Sequence, residues 1–134
     1  MCPAGGHPEE DQEGGDPRGE TRVEIRAKGL IMNDGPLAPP VPVALRYDAV
    51  DAPSTVRFVF PGGTSWAFPR TLLEAGLTSP ARRGDVEVWP CGRVQTVVEF
   101  HSRDGTAVVQ FDSSALLRFL RRTYATATAT PVVR

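Results

Sequence analysis

The chain has 134 residues, 40% of them hydrophobic and 23% charged, with a formal net charge of −1. That length leaves room for one domain with tails. The near-neutral balance gives little electrostatic drive toward nucleic acid. No apolar run reaches the span of a membrane helix, and two cysteines, Cys2 and Cys91, do not make a disulfide framework.

The charge is unevenly placed. Residues 1–20 carry six acids against Arg18, and the remainder is mildly basic, with Lys28 its only lysine. Met1 is the one large apolar side chain in that acidic segment. It buries too little to offset its ordering entropy and is expected to be a disordered tail. An acidic start is also the opposite of a secretory leader, so a cytoplasmic protein is expected.

Val23, Ile25 and Ala27 alternate with charged residues, predicting a first strand that runs to about Met32. Asn33-Asp34-Gly35-Pro36 signals a turn, and Pro39, Pro40 and Pro42 keep the following chain extended. Val41–Asp48 reads as a second strand with Val43, Leu45 and Tyr47 on one face. A third carries Val56, Phe58 and Phe60, and Pro61–Thr64 makes a hairpin into Trp66. The connections are too short for parallel crossovers, so the strands are antiparallel.

At Phe68-Pro69 the period changes. Pro69 suits the first position of a helix, Leu72, Leu73 and Leu77 supply its buried stripe, and Gly76 is placed to end it in a left-handed conformation. Thr78–Gly84 reads as a loop. Val86 and Val88 begin a strand; Val94, Val97, Val98 and Phe100 mark another; and Ala107, Val109 and Phe111 the last, after a turn at His101–Gly105.

Asp112 or Ser113 then caps a longer C-terminal helix. Leu116, Leu117, Leu120 and Tyr124 lie on its apolar side, and Arg118, Arg121 and Arg122 project nearby or opposite. The Ala-Thr alternation beyond it, residues 125–134 included, reads as a low-complexity tail. The fold class is α+β with antiparallel sheets, a short central helix and a longer closing one.

Candidate chemistry is thin. Gly62-Gly63-Thr64-Ser65 lacks the lysine and the helix start of a phosphate loop. His101, Ser102 and Asp104 fall on one turn, whereas hydrolytic triads assemble from distant segments. Cys91 follows Trp89-Pro90 and reads as a buried or edge thiol. Two cysteines and two histidines, His7 and His101, match no zinc spacing. The arginine clusters Arg82-Arg83 and Arg118-Arg121-Arg122 read first as solvated surface.

Four stretches in register resemble the SsgA-like family of sporulation and cell-division regulators. They are Pro40–Asp48 with Asp51-Ala52-Pro53, then Trp66–Leu77, then Gly84–Pro90, and the closing Ala115–Thr123. The likeness covers about residues 21–124. It implies an actinobacterial source, a Whirly-like fold of two antiparallel sheets with helices, and a homotrimer. It further implies a non-enzymatic adaptor, with no cofactor, metal or catalytic residues. Such a protein is recruited to the division septum and has FtsZ or another SsgA-like protein as partner.

On that reading Arg118, Arg121 and Arg122 are the candidate partner-binding surface. Arg46, Asp48 and Asp85, polar residues inside the shared motifs, either tie turns and strands together or touch a partner. A single-stranded nucleic-acid-binding module is the alternative. The acidic residues 1–20 lie outside the family pattern, and Pro69 stands where a small residue is usual.

Overall fold

The computed structural model describes residues 21–32 and 39–129. The strands are β1 (Arg22–Ile31), β2 (Val41–Asp48), β3 (Ala52–Val59), β4 (Ser65–Pro69), β5 (Ala81–Arg83), β6 (Val86–Cys91), β7 (Gln95–Ser102) and β8 (Gly105–Asp112). Helix α1 (Arg70–Gly76) lies between β4 and β5, and α2 (Ser113–Ala129) follows β8. The expected turn at Asn33–Pro36 and the acidic segment 1–20 lie outside the described residues.

The strands pair antiparallel throughout, in the order β4-β3-β2-β1-β8-β7-β6-β5. The two expected sheets are therefore two four-stranded halves of one continuous sheet. The length of β1 joins them. Residues Arg22 to Gly29 pair with β2, while Leu30 and Ile31 pair with Gln110 and Val109 of β8.

The halves face each other. In a flat sheet β3 and β8, three steps apart, would be separated by about 14 Å, yet the rings of Phe58 and Phe111 meet edge-on with centroids 5.5 Å apart. Trp66 on β4 stacks on Phe100 of β7 at 5.0 Å, across five strand steps. The sheet thus curls around one core. Alternation decides which side chains fill it: Val23, Ile25, Val43, Leu45, Val56 and Phe58 from one half, Val88, Val98, Phe100, Val109 and Phe111 from the other. Each such side chain contributes about 1.5–3 kcal/mol by leaving water.

Helix α1 sits between the two ends of the sheet and touches β3, β4, β5 and β6. It inserts Leu72 and Leu73 into the core. Pro69 is the N-cap rather than the first helical residue, because its pairing with Thr55 keeps it extended at ψ 139°. Gly76 departs from expectation too. Leu77 continues in right-handed geometry, and Gly76 has no positive φ.

The glycine is needed for space instead. A Cβ built there would lie 2.2 Å from Val88 Cγ1 and 2.9 Å from the Val88 carbonyl oxygen. Left-handed glycines do appear in the Pro61–Thr64 hairpin, at Gly62 and Gly63.

Three other expectations are corrected. The Thr78–Gly84 loop contains β5, a three-residue edge strand. Its Arg82 and Arg83 are exposed charges that blunt the edge against further pairing. Val94 is not in β7 but in the preceding turn, 57% exposed. Helix α2 continues to Ala129, into the stretch read as tail. Alanine is the best helix former, and Thr126 Oγ1 donates back to the Arg122 carbonyl.

Strand β7 is buried on both faces, Gln95 and Val97 included. Gln95 Nε2 donates to Asp112 at 2.9 Å, and Gln110 donates to Gln95.

Candidate functional site

Helix α2 carries the residues singled out as a partner surface. Leu116, Phe119, Leu120 and Thr123 form its buried side, against the core. At 100° per residue, Arg118, Arg121 and Arg122 fall within an arc of about 100° on the opposite side. Arg121 is exposed, whereas Arg118 and Arg122 are half-buried. The structure therefore brings the three arginines together. It moves one residue relative to expectation: Leu117, read as part of the apolar side, is 41% exposed. It lies one turn before Arg121, so the outward face sets one exposed leucine beside guanidinium groups.

A cluster that spacing alone did not reveal fixes the helix in place. Arg70, the first residue of α1, inserts its guanidinium between two rings, 5.1 Å from the Tyr47 centroid and 3.8 Å from that of Tyr124. Its Nη1 donates to Tyr47 Oη at 3.2 Å and to Thr123 Oγ1 at 3.5 Å. Tyr47 donates in turn to the Pro53 carbonyl at 2.8 Å, and Tyr124 donates to Glu74 Oε1 at 2.5 Å. Strand β2, α1 and α2 are thereby joined through one cation. The bond to Glu74 holds the Tyr124 phenol above its ordinary value, because ionising it would set two anions together.

Two of the polar motif residues, Asp48 and Arg46, have side-chain partners within the first half-sheet and its turn. Asp48 Oδ1 accepts from the backbone N–H groups of Val50 and Asp51, both at 3.0 Å, forming the β2–β3 turn. Its Oδ2 accepts from Arg22 Nε at 3.1 Å. The Asp51 N–H leads these contacts in lowering the Asp48 carboxyl below its ordinary value. Arg46 pairs with Glu24 at 3.2 Å, and the Asp85 carbonyl accepts the His101 N–H at 2.9 Å. Between β1, β2 and β3 these side chains line a groove of ≈ 410 Å³ that includes Arg22, Arg46, Arg57, Asp48 and Asp51.

His101, Ser102 and Asp104 are not assembled for nucleophilic chemistry. Ser102 Oγ stays within the hairpin, donating to the Gly105 carbonyl and accepting from the Asp104 N–H. His101 is the last but one residue of β7 rather than part of the turn. Its Nδ1 is 3.1 Å from Thr106 Oγ1, and its Nε2 is 3.4 Å from Glu99 Oε1.

Glu87, opposite Glu99 in the β6–β7 register, completes a group whose donor atoms all lie within 4.8 Å of one another. Sequence reasoning missed this trio because Glu87 joins it only through strand register. Cys91 is disulfide-bonded, which corrects the expected thiol. Among the described residues no helix is long and apolar enough to cross a membrane.

Comparison with known proteins agrees with this architecture. The pattern of the family described as "Streptomyces sporulation and cell division protein, SsgA" matches residues 41–130. The "Sporulation-specific cell division protein SsgB" of Kineococcus radiotolerans is 38% identical over 114 residues, covering 79% of this chain and 68% of that protein. Its namesake in Salinispora tropica is 40% identical over 113 residues, covering 78% of each.

Two solved structures superpose on the fold. One is described as "Mutations in SsgB correlate to longitudinal cell division during sporulation of Streptomyces coelicolor". It has a TM-score of 0.64 at 32% identity and covers 78% of this chain and 86% of that one. The other, an SsgA-like sporulation-specific cell division protein from Thermobifida fusca, has a TM-score of 0.66 at 26% identity, covering 82% and 89%.

Proposed function

The chain belongs to the SsgA family of sporulation and cell-division proteins, and we propose that it acts in sporulation-specific cell division as an adaptor working through protein–protein contacts. The relatives' names supply the process. The observation that carries the mechanism is the outward face of α2, where Arg121 and its neighbours Arg118 and Arg122 stand beside the exposed Leu117. Arginine is among the residues enriched where proteins meet.

The partner in this reading is FtsZ or another SsgA-like protein, and the site of action is the septum. A homotrimer presents the same helix three times, so that weak contacts add against a polymerising partner. Light scattering coupled to size exclusion, with and without FtsZ, tests it. A trimer that co-elutes with FtsZ supports direct recruitment. A trimer that elutes apart from FtsZ moves the partner to a sister protein, and a monomer removes the multivalent mechanism.

A second reading, a single-stranded nucleic-acid binder of Whirly-like fold, rests on the exposed face of the first half-sheet. Arg22, Arg26, Lys28, Arg46 and Arg57 there outnumber Glu24 and Asp48. A mobility shift that weakens steeply with salt supports it, and no binding at low salt rejects it.

A further inference from the structure

We propose that Glu87, Glu99 and His101 form a binding site for a divalent transition metal of the zinc class, on the outer face of β6 and β7. The three residues come from adjacent antiparallel strands. Glu87 stands directly opposite Glu99, and His101 is two residues on, projecting to the same face. Like charges placed directly opposite destabilise a sheet unless something offsets them. Arg82 stands opposite Glu87 on β5 and is exposed.

The imidazole is oriented for ligation. Thr106 on β8 holds Nδ1 at 3.1 Å. When Nδ1–H donates to the Thr106 hydroxyl, the lone pair of the other ring nitrogen is left for a metal. That other nitrogen, Nε2, is buried and has no hydrogen-bond partner, although Glu99 Oε1 lies 3.4 Å away. In the proposed site, with Nδ1–H donating to Thr106, Nε2 and the Glu99 carboxylate both present lone pairs, and a shared cation satisfies both.

The donor atoms lie within 4.8 Å of one another. Ligands around one zinc ion, at bond lengths of about 2.0–2.2 Å, lie roughly 3–4 Å apart, so small rotations of the two glutamates close the site. Two carboxylates neutralise the ion, the imidazole selects a transition metal over magnesium or calcium, and water fills the remaining positions. An ion there would tie β6 to β7 on the face opposite Val88, against which α1 packs.

The test is isothermal titration of the full chain with Zn²⁺ in a non-chelating buffer. One ion per chain is expected. His101→Ala and Glu87→Gln each lower the affinity by at least tenfold, and Thr106→Val, which removes only the orienting hydroxyl, by about tenfold. His7→Ala, the control for the other histidine in the chain, leaves binding unchanged.

The proposal is overturned if the wild type takes up no Zn²⁺ at millimolar concentration. It is also overturned if His101→Ala binds as the wild type does, which would place the ion elsewhere. Should His101→Ala fail to fold, imidazole NMR of the His7→Ala protein decides instead. Zn²⁺ must then shift the sole remaining imidazole, and an unmoved signal means a simple His–Glu ion pair.

Discussion

At Gly76 a hydrogen atom is all that separates α1 from β6. Substituting alanine drives a methyl group into Val88, and the Val88 carbonyl cannot retreat as a flexible side chain would. Gly76→Ala is therefore expected to cost about 3 kcal/mol, the upper range for overpacking, read as a lower urea midpoint.

Titrating residues give a second test. The Tyr124 phenol is raised in the folded protein by its bond to Glu74. Its contribution is fully present below about pH 10 and is lost as pH rises through the higher folded value. Tyr124→Phe should flatten the alkaline limb of a stability–pH curve. Asp48 behaves oppositely. Its lowered carboxyl contributes above about pH 4, and that contribution disappears as pH falls through the folded value. Asp48→Asn should flatten the acid limb.

Among the elements, α2 divides its labour between two sides. Arg70→Ala removes the cation between Tyr47 and Tyr124 and leaves a buried Thr123 hydroxyl with one partner fewer. A loss of about 2 kcal/mol is expected, measured by chemical unfolding. Arg121→Glu on the other side should change stability by no more than about 0.5 kcal/mol while abolishing partner co-elution. If Arg121→Glu co-elutes as well as the wild type, the α2 face is not the partner surface.

Period two made the strands readable from sequence because each has one apolar face: Val43, Leu45 and Tyr47 were visible as one side of β2. Ala81-Arg82-Arg83 was not readable as a strand, since an edge piece of three residues with two arginines carries no alternation. Gly76 was misread for a related reason. The helix does end there, but without the expected left-handed conformation, and the valine that requires a glycine lies on another element. The arginines of α2 were legible by helical spacing. The Arg70 cluster and the Glu87–Glu99–His101 group were not, because both depend on which strands and helices become neighbours.

Seen whole, the molecule is one cooperative unit because its core belongs to neither half-sheet. Phe58 touches Phe68 of its own half and Phe100 and Phe111 of the other. Phe58→Ala should cost about 3–5 kcal/mol. It should lower the unfolding midpoint equally for a probe in each half, such as Trp66 and Trp89 fluorescence read in single-tryptophan variants. Separate midpoints would show two independent units.

The central place of β1 also has a bearing on how the protein is made. Strand β1 needs β2, which follows at once, and β8, which follows only after β3 to β7 and α1 have been made. Until Gln110 and Val109 emerge, the far end of β1 is an open edge with unpaired amides, the kind of surface that recruits other chains. The nascent half-sheet must therefore wait for the rest of the sheet to be made. A chain cut short before β8 would be prone to aggregation even though its first four strands are intact.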